Sequence, residues 1–159
     1  MLVIIDYGVG NLASMKNMFR KVGVEAEISS DPATIKKADK LILPGVGAFD
    51  TCASKLMESG LIDLVNEKVL VQKTPVLGVC VGMQLLTRGS EEGVLPGLNW
   101  IEGKIIRFQS DKLPAGTKIP HMGWTDVIPV PDHPLFSGIE HPRFYFVHSY
   151  HPQLDNESD

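Results

Sequence analysis

The chain opens on an uninterrupted apolar run, Leu2-Val3-Ile4-Ile5, cut off by Asp6-Tyr7-Gly8. A run with no polar alternation predicts a strand buried on both faces, the habit of parallel sheets. From Asn11 to Val22 the apolar positions are Leu12, Met15, Met18, Phe19 and Val22. That is helical spacing, with Gly23 as a C-terminal stop. Ala26 to Ser29 reads as a second strand, and Ser30-Asp31-Pro32 starts a short helix to about Lys37. Lys40 to Leu43 is a third strand, stopped by Pro44-Gly45-Val46-Gly47. Phe49 to Glu58 and Leu61 to Val71 are helical, Pro75 to Val79 is a fourth strand, and Gly82 to Thr87 is again helical.

Strand and helix alternating over ninety residues predicts an α/β fold, a parallel sheet with right-handed crossovers. The pattern changes after Glu92. Lys104 to Phe108, Ile119 to Ile128 and Arg143 to Ser149 read as strands with no helices between them, an antiparallel extension of the same domain. From His151 onward the residues carry no core pattern and read as a polar loop or a frayed end.

Composition narrows the function. At 159 residues and 43% hydrophobic, the chain has the length of one domain with a real core. A net charge of −4 and the lack of a basic block exclude a phosphate footprint, so no nucleic-acid partner is expected. No apolar run spans a bilayer and no leader precedes the first strand, which predicts a cytoplasmic protein without membrane attachment. Two cysteines make no disulfide framework and lack metal-ligand spacing, so neither a metal nor an organic cofactor is expected.

The strongest chemical signal is Gly78-Val79-Cys80-Val81-Gly82, a G-x-nucleophile-x-G turn between strand and helix. Such a turn lifts the nucleophile above the strand ends and aims the next backbone N–H, that of Val81, at a developing oxyanion. The helix N-terminus that follows favours a thiolate. Cys52 falls on the apolar face of the Phe49–Glu58 helix and reads as a buried structural thiol. Pro44-Gly45-Val46-Gly47 is either a loop presenting N–H groups to an anion or an ordinary tight turn. Asp6 to Ala13 matches a dinucleotide fingerprint poorly, because Ser29-Ser30 stand where an acidic residue is wanted. Of the five histidines, His133 and His141 read as solvated. His121, His148 and His151 read as structural or ligand-contact groups, and none is marked as a general base.

Taken together, six motifs resemble the class I, triad-type glutamine amidotransferases, most narrowly the glutaminases that serve imidazole glycerol phosphate synthesis. They are Asp6 to Asn11, Leu43 to Gly47, Gly78 to Leu86, Ser90-Glu91-Glu92-Gly93, Pro120 to Trp124 and Tyr145 to Tyr150. The resemblance implies a flavodoxin-like sheet and a single glutamine amidotransferase domain over residues 1–159. It implies that Cys80 attacks the side-chain amide of glutamine through a thioester. Val46, Gly47 and Val81 would form the oxyanion hole, and Gly45, Gln84, His148, Ser149 and Tyr150 would bind glutamine. Asn11, Trp124 and Tyr145 would face a (β/α)8 cyclase partner, in a heterodimer that receives the ammonia.

The resemblance departs at two points. Val81 stands where the family usually has Leu, an apolar swap that leaves the N–H in place. The family's His-Pro-Glu motif, its catalytic base and orienting acid, is not matched by His151-Pro152-Gln153. That leaves two expectations: a sequence that stops before the motif, with an unpaired sheet edge, or a catalytically silent partner-binding subunit. A paralogue feeding a sugar amidotransferase of surface-polysaccharide synthesis, and a peptidase-type cysteine hydrolase disfavoured by Gln84 and the Pro44–Gly47 loop, complete the alternatives.

Overall fold

The computed structural model describes residues 1–131 and 133–156. They fall into two compact units, Met1–Ile106 with residues 152–156, and the described residues of Arg107–His151.

The first unit is built on a four-stranded sheet of β1 (Leu2–Ile5), β2 (Ala26–Ser29), β3 (Lys40–Leu43) and β4 (Val76–Gly78). Its order is β2-β1-β3-β4, and every pair is parallel. Alternation along the strands sorts the core onto two faces. Ile4, Ala26 and Ile42 pack with Leu12, Met15 and Phe19 of α1 (Leu12–Lys21). Val3, Ile5, Leu41 and Leu43 pack on the other face with residues of α2 (Pro32–Lys36), α3 (Phe49–Glu58), α4 (Ile62–Asn66) and α5 (Val81–Gln84). Helices on both faces explain why the strands read as continuous apolar runs. The chain order places the loops after β3 and β4 side by side at the carboxyl ends, where open α/β sheets bind ligands.

Two elements differ from the sequence pattern. The helix predicted over Leu61–Val71 is α4 followed by a π-helical turn, Glu67–Val71. The wider turn buries Lys68, whose Nζ donates to the carbonyls of Lys36 (3.1 Å) and Ala38 (2.7 Å) at the end of α2. The segment read as a polar tail contains a strand, β8 (Tyr150–Leu154), in a two-stranded sheet with β5 (Gly103–Arg107). Gly103 lies so near the Gln153 carbonyl that a Cβ there would sit 2.7 Å from it. The Asp155 N–H donates to Glu102 O at 3.0 Å, and the Asp155 carboxylate takes a two-pronged contact from Arg88. The partners lie about fifty residues or more back along the chain, so local composition could not reveal the strand.

The second unit is an antiparallel ribbon of β6 (His121–Asp126) and β7 (Arg143–His148). Directly opposed residues share a face. One face carries Met122 with Val147 and Trp124 with Tyr145, all exposed; the other carries His121 with His148 and Thr125 with Phe144.

Candidate active site

Cys80 joins β4 to α5 with φ 55° and ψ −120°, and it is exposed. A non-glycine residue held there stores about 1–3 kcal/mol of strain and persists only where its surroundings fix it. Three glycines do the fixing. A Cβ on Gly78 would lie 2.5 Å from Met83 Cα, and one on Gly82 would lie 2.0 Å from the Leu43 carbonyl oxygen. A Cβ on Gly45 would lie 2.3 Å from the Gly82 nitrogen. The turn that carries Cys80 and the loop after β3 therefore meet backbone to backbone. The Val79 N–H closes the junction by donating to Leu43 O at 3.0 Å.

Within the turn, the N–H groups of Gly82 and Met83 donate to Val79 and Cys80 carbonyls, both at 3.0 Å. Among the described residues these backbone bonds leave the Val81 N–H unused, while the Val81 side chain is anchored in the core. Across the junction, Pro44 and Gly45 are buried, and Val46 and Gly47 are exposed. Gly47 has φ +86°, a conformation that disfavours any other residue. Gln84 lies in α5, one turn beyond the nucleophile. Its Oε1 is buried and has no hydrogen-bond partner among the described residues. A buried acceptor without a donor is costly, and a ligand donor would relieve that cost.

The loop after β3 is supported by groups whose role the motifs did not reveal. Tyr7, at the carboxyl end of β1, is buried and its hydroxyl donates to the Pro44 carbonyl. The Cys52 thiol, fully buried as its helical position predicts, donates to Val46 O at 3.3 Å. Burial pushes both the Tyr7 phenol and the Cys52 thiol above their ordinary values. Gly8 and Gly10 serve local geometry, with φ +86° and +116°, and a Cβ on Gly10 would lie 2.9 Å from Pro44 Cβ.

Ser90-Glu91-Glu92-Gly93 and α3 hold each other. Glu92 Oε2 accepts from the Phe49 N–H at 3.1 Å, at a helix start with no side-chain cap of its own. Asp50 returns the favour by accepting from the N–H groups of Val94 and Leu95, each at 3.0 Å. Asn11 caps α1, its side chain accepting from the Ser14 N–H at 3.3 Å.

All five histidines lie in the second unit. His148 Nδ1 meets Tyr150 O at 2.8 Å, His148 Nε2 meets His121 Nδ1 at 2.9 Å, and His121 Nε2 meets Thr125 Oγ1 at 3.2 Å. A carbonyl only accepts, so His148 donates from Nδ1. With neutral rings, His121 then donates from Nδ1 and Thr125 donates to His121 Nε2. Trp124 and Tyr145 form an edge-to-face pair with centroids 5.7 Å apart. Among the described residues no group of three His, Cys, Asp or Glu side chains could hold a metal ion, and no helix is long and apolar enough to cross a membrane.

A family model for class-I glutamine amidotransferases matches residues 3–158. The imidazole glycerol phosphate synthase subunit HisH 2 of Pseudomonas aeruginosa is 51% identical over 152 residues, 95% of this chain and 74% of that protein. The subunit of the same name from Methanococcus maripaludis is 53% identical over 152 residues, with the same shares. The HisH subunit of Sulfurimonas denitrificans is 47% identical over 161 residues, 100% of this chain and 77% of that protein. In fold, the chain is similar to a solved glutamine amidotransferase with a TM-score of 0.67 at 20% identity, over 97% of this chain and 74% of the other. A second one, from Thermotoga maritima, gives 0.61 at 18% identity, over 96% and 62%.

Proposed function

The chain belongs to the class-I glutamine amidotransferase family, and from that premise we propose that it is the glutaminase subunit of an imidazole glycerol phosphate synthase. It hydrolyses glutamine to glutamate and passes the ammonia to a cyclase subunit in histidine biosynthesis. The names of relatives that are 47–53% identical support the pathway.

In this reading Cys80 Sγ, as thiolate, bonds to the carboxamide carbon of glutamine, and the carbonyl electrons move onto oxygen. The Val81 N–H and the N–H groups of Val46 and Gly47 receive that oxyanion. One such donor is worth about 3 kcal/mol of barrier. Collapse expels the amide nitrogen, which takes a proton from water and leaves as ammonia, and a thioester remains. Water then adds to the thioester carbon, and Cys80 departs as glutamate forms. Gln84 Oε1 takes an N–H donor from the bound substrate, and Gly45 lets the loop sit against the nucleophile's turn. His148, Ser149 and Tyr150 are assigned to the glutamine α-amino and carboxylate groups by their motif. Asn11, Trp124 and Tyr145 are assigned to the face that meets the (β/α)8 cyclase, and the match over residues 3–158 supports one glutaminase domain.

The observation that carries this reading is the backbone contact of Gly45 with Gly82, which sets a loop of N–H groups beside an exposed, strained Cys80. The test is glutamate release by the chain with its cyclase subunit, compared with Cys80→Ala. Loss of release in the variant supports the reading; retention refutes it.

A further inference from the structure

The histidine pair of the antiparallel ribbon spends its ring nitrogens on the protein itself, and it grips the segment assigned to glutamine. His121 and His148 stand directly opposite each other on β6 and β7. His148 donates from Nδ1 to Tyr150 O at 2.8 Å and, with neutral rings, accepts at Nε2 from His121 Nδ1 at 2.9 Å. Thr125 Oγ1 closes the relay at His121 Nε2, 3.2 Å away, which leaves His121 the Nδ1–H that the relay needs. Both nitrogens of His148 are then occupied, so its ring shapes the chain rather than meeting a ligand. Phe108 braces the same stretch. Its N–H donates to Ser149 O at 2.9 Å, and its ring packs on those of His148 and His151, with centroids 5.2 and 4.9 Å away. The Ser149 and Tyr150 carbonyls are thereby both held, while the Ser149 N–H and hydroxyl keep no partner among the described residues.

We infer that His121 is a positioning residue for glutamine: its Nδ1–H, acting through His148 on the Tyr150 carbonyl, fixes residues 148–150 in the form that receives the substrate's α-amino and carboxylate groups. The inference rests on the glutaminase reading and on the assignment of His148, Ser149 and Tyr150 to glutamine. Without the His121 donor, His148 Nε2 is a half-buried acceptor with nothing to hold it. The ring then turns to find water, and its hold on Tyr150 O loosens. The α-amino and carboxylate groups of glutamine do not react, so contacts to them are alike in the ground and transition states. Losing their geometry raises KM and leaves kcat near its value. His121 also stacks on Phe146, with centroids 4.8 Å apart and planes 26° from parallel, so the donor has to be separated from the packing.

The experiment measures glutamate release against glutamine concentration for wild type, His121→Phe and His121→Asn, each in the complex with the cyclase subunit. Phe keeps a ring on Phe146 and has no donor. Asn loses the ring and keeps an amide N–H close to where His121 Nδ1 stands. Loss of one net hydrogen bond predicts that His121→Phe raises KM about three- to tenfold, with kcat within about twofold. His121→Asn keeps KM within about twofold of wild type. A merely structural role predicts the reverse order, because packing is what Phe retains and Asn gives up. Amide exchange over residues 148–151 supplies the readout that does not depend on activity: faster in His121→Phe, near wild type in His121→Asn. An unchanged KM in His121→Phe, or an Asn variant no better than Phe, overturns the proposal. Exchange then tells which premise failed. Faster exchange with an unchanged KM means that the relay holds residues 148–150 and that they do not bind glutamine; unchanged exchange means that the relay does not hold them. A wild-type complex that releases no glutamate overturns the glutaminase reading instead, and the exchange comparison still decides whether His121 holds the segment.

Discussion

Gly82 sits so close to Leu43 that a Cβ on the glycine would lie 2.0 Å from the leucine's carbonyl oxygen. Leu43 ends one strand and Gly82 lies in the first turn of the helix after the next, so this single approach locks the two loops that hold the proposed chemistry. Gly82→Ala has no flexible atom to displace, only backbone. It should destabilise the fold by about 3 kcal/mol and remove glutamine hydrolysis even where the protein stays folded. Urea midpoints and glutamate release check both; a stable, active Gly82→Ala would show that the approach is looser than described.

Cys80 holds φ 55° without being glycine. Relieving that strain should offset the added chain entropy of a glycine, so Cys80→Gly should be about 1 kcal/mol more stable than wild type while losing glutaminase activity. Thermal unfolding measures the gain. A loss of stability would mean that the turn is not strained at the nucleophile.

Asp50 accepts from two successive backbone N–H groups, Val94 and Leu95, across more than forty residues of sequence. Asp50→Ala leaves both without their acceptor and should cost about 2–3 kcal/mol. Exchange of the Val94 and Leu95 amides should quicken along with the drop in stability. Unchanged exchange would mean that the loop is held by other contacts.

The buried Cys52 thiol and Tyr7 phenol are both raised above their ordinary values, and both are neutral when protonated. The native state therefore keeps protons that the unfolded chain releases as pH rises. Their contribution is full below the ordinary thiol value of 9.0 and is lost progressively above it. Denaturation midpoints should fall as pH climbs past 9.0, and less steeply in Cys52→Ala. A slope as steep in the variant as in wild type would contradict the assignment.

Trp124 and Tyr145 stack edge-to-face while both stay more than half exposed. A pair left in water this way suits a partner face, where aromatic anchors dominate binding. Trp124→Ala should weaken cyclase binding at least about tenfold, with unfolding changed by no more than about 1 kcal/mol. Titration calorimetry with the cyclase subunit decides this; unchanged affinity would remove Trp124 from the interface.

The parallel sheet was legible because Leu2–Ile5 and residues 41–43 are apolar on both faces, which only a doubly covered strand requires. Cys80 was legible because its glycines sit at fixed offsets around it. Cys52 was read as a buried thiol from helix spacing, and its bond to Val46 follows from where α3 begins. What stayed hidden is non-local. Glu92 capping α3, Asp50 holding residues 94–95, and β8 beside β5 each join positions more than forty residues apart. Gln153 and Leu154 read as part of a polar tail until the Gly103 backbone is set against them. The π-helical turn was hidden too, because Lys68 reads as a solvated charge until the carbonyls of Lys36 and Ala38 are found above it.

In the proposed function Cys80 is the nucleophile of a glutamine site and Cys52 is not. Covalent labelling with a glutamine-analogue electrophile, mapped by peptide mass spectrometry, tests it most directly. The expected result is labelling of Cys80, suppressed by excess glutamine, with Cys52 untouched. Labelling of Cys52 to the same extent, or of Cys80 without protection by glutamine, would contradict it.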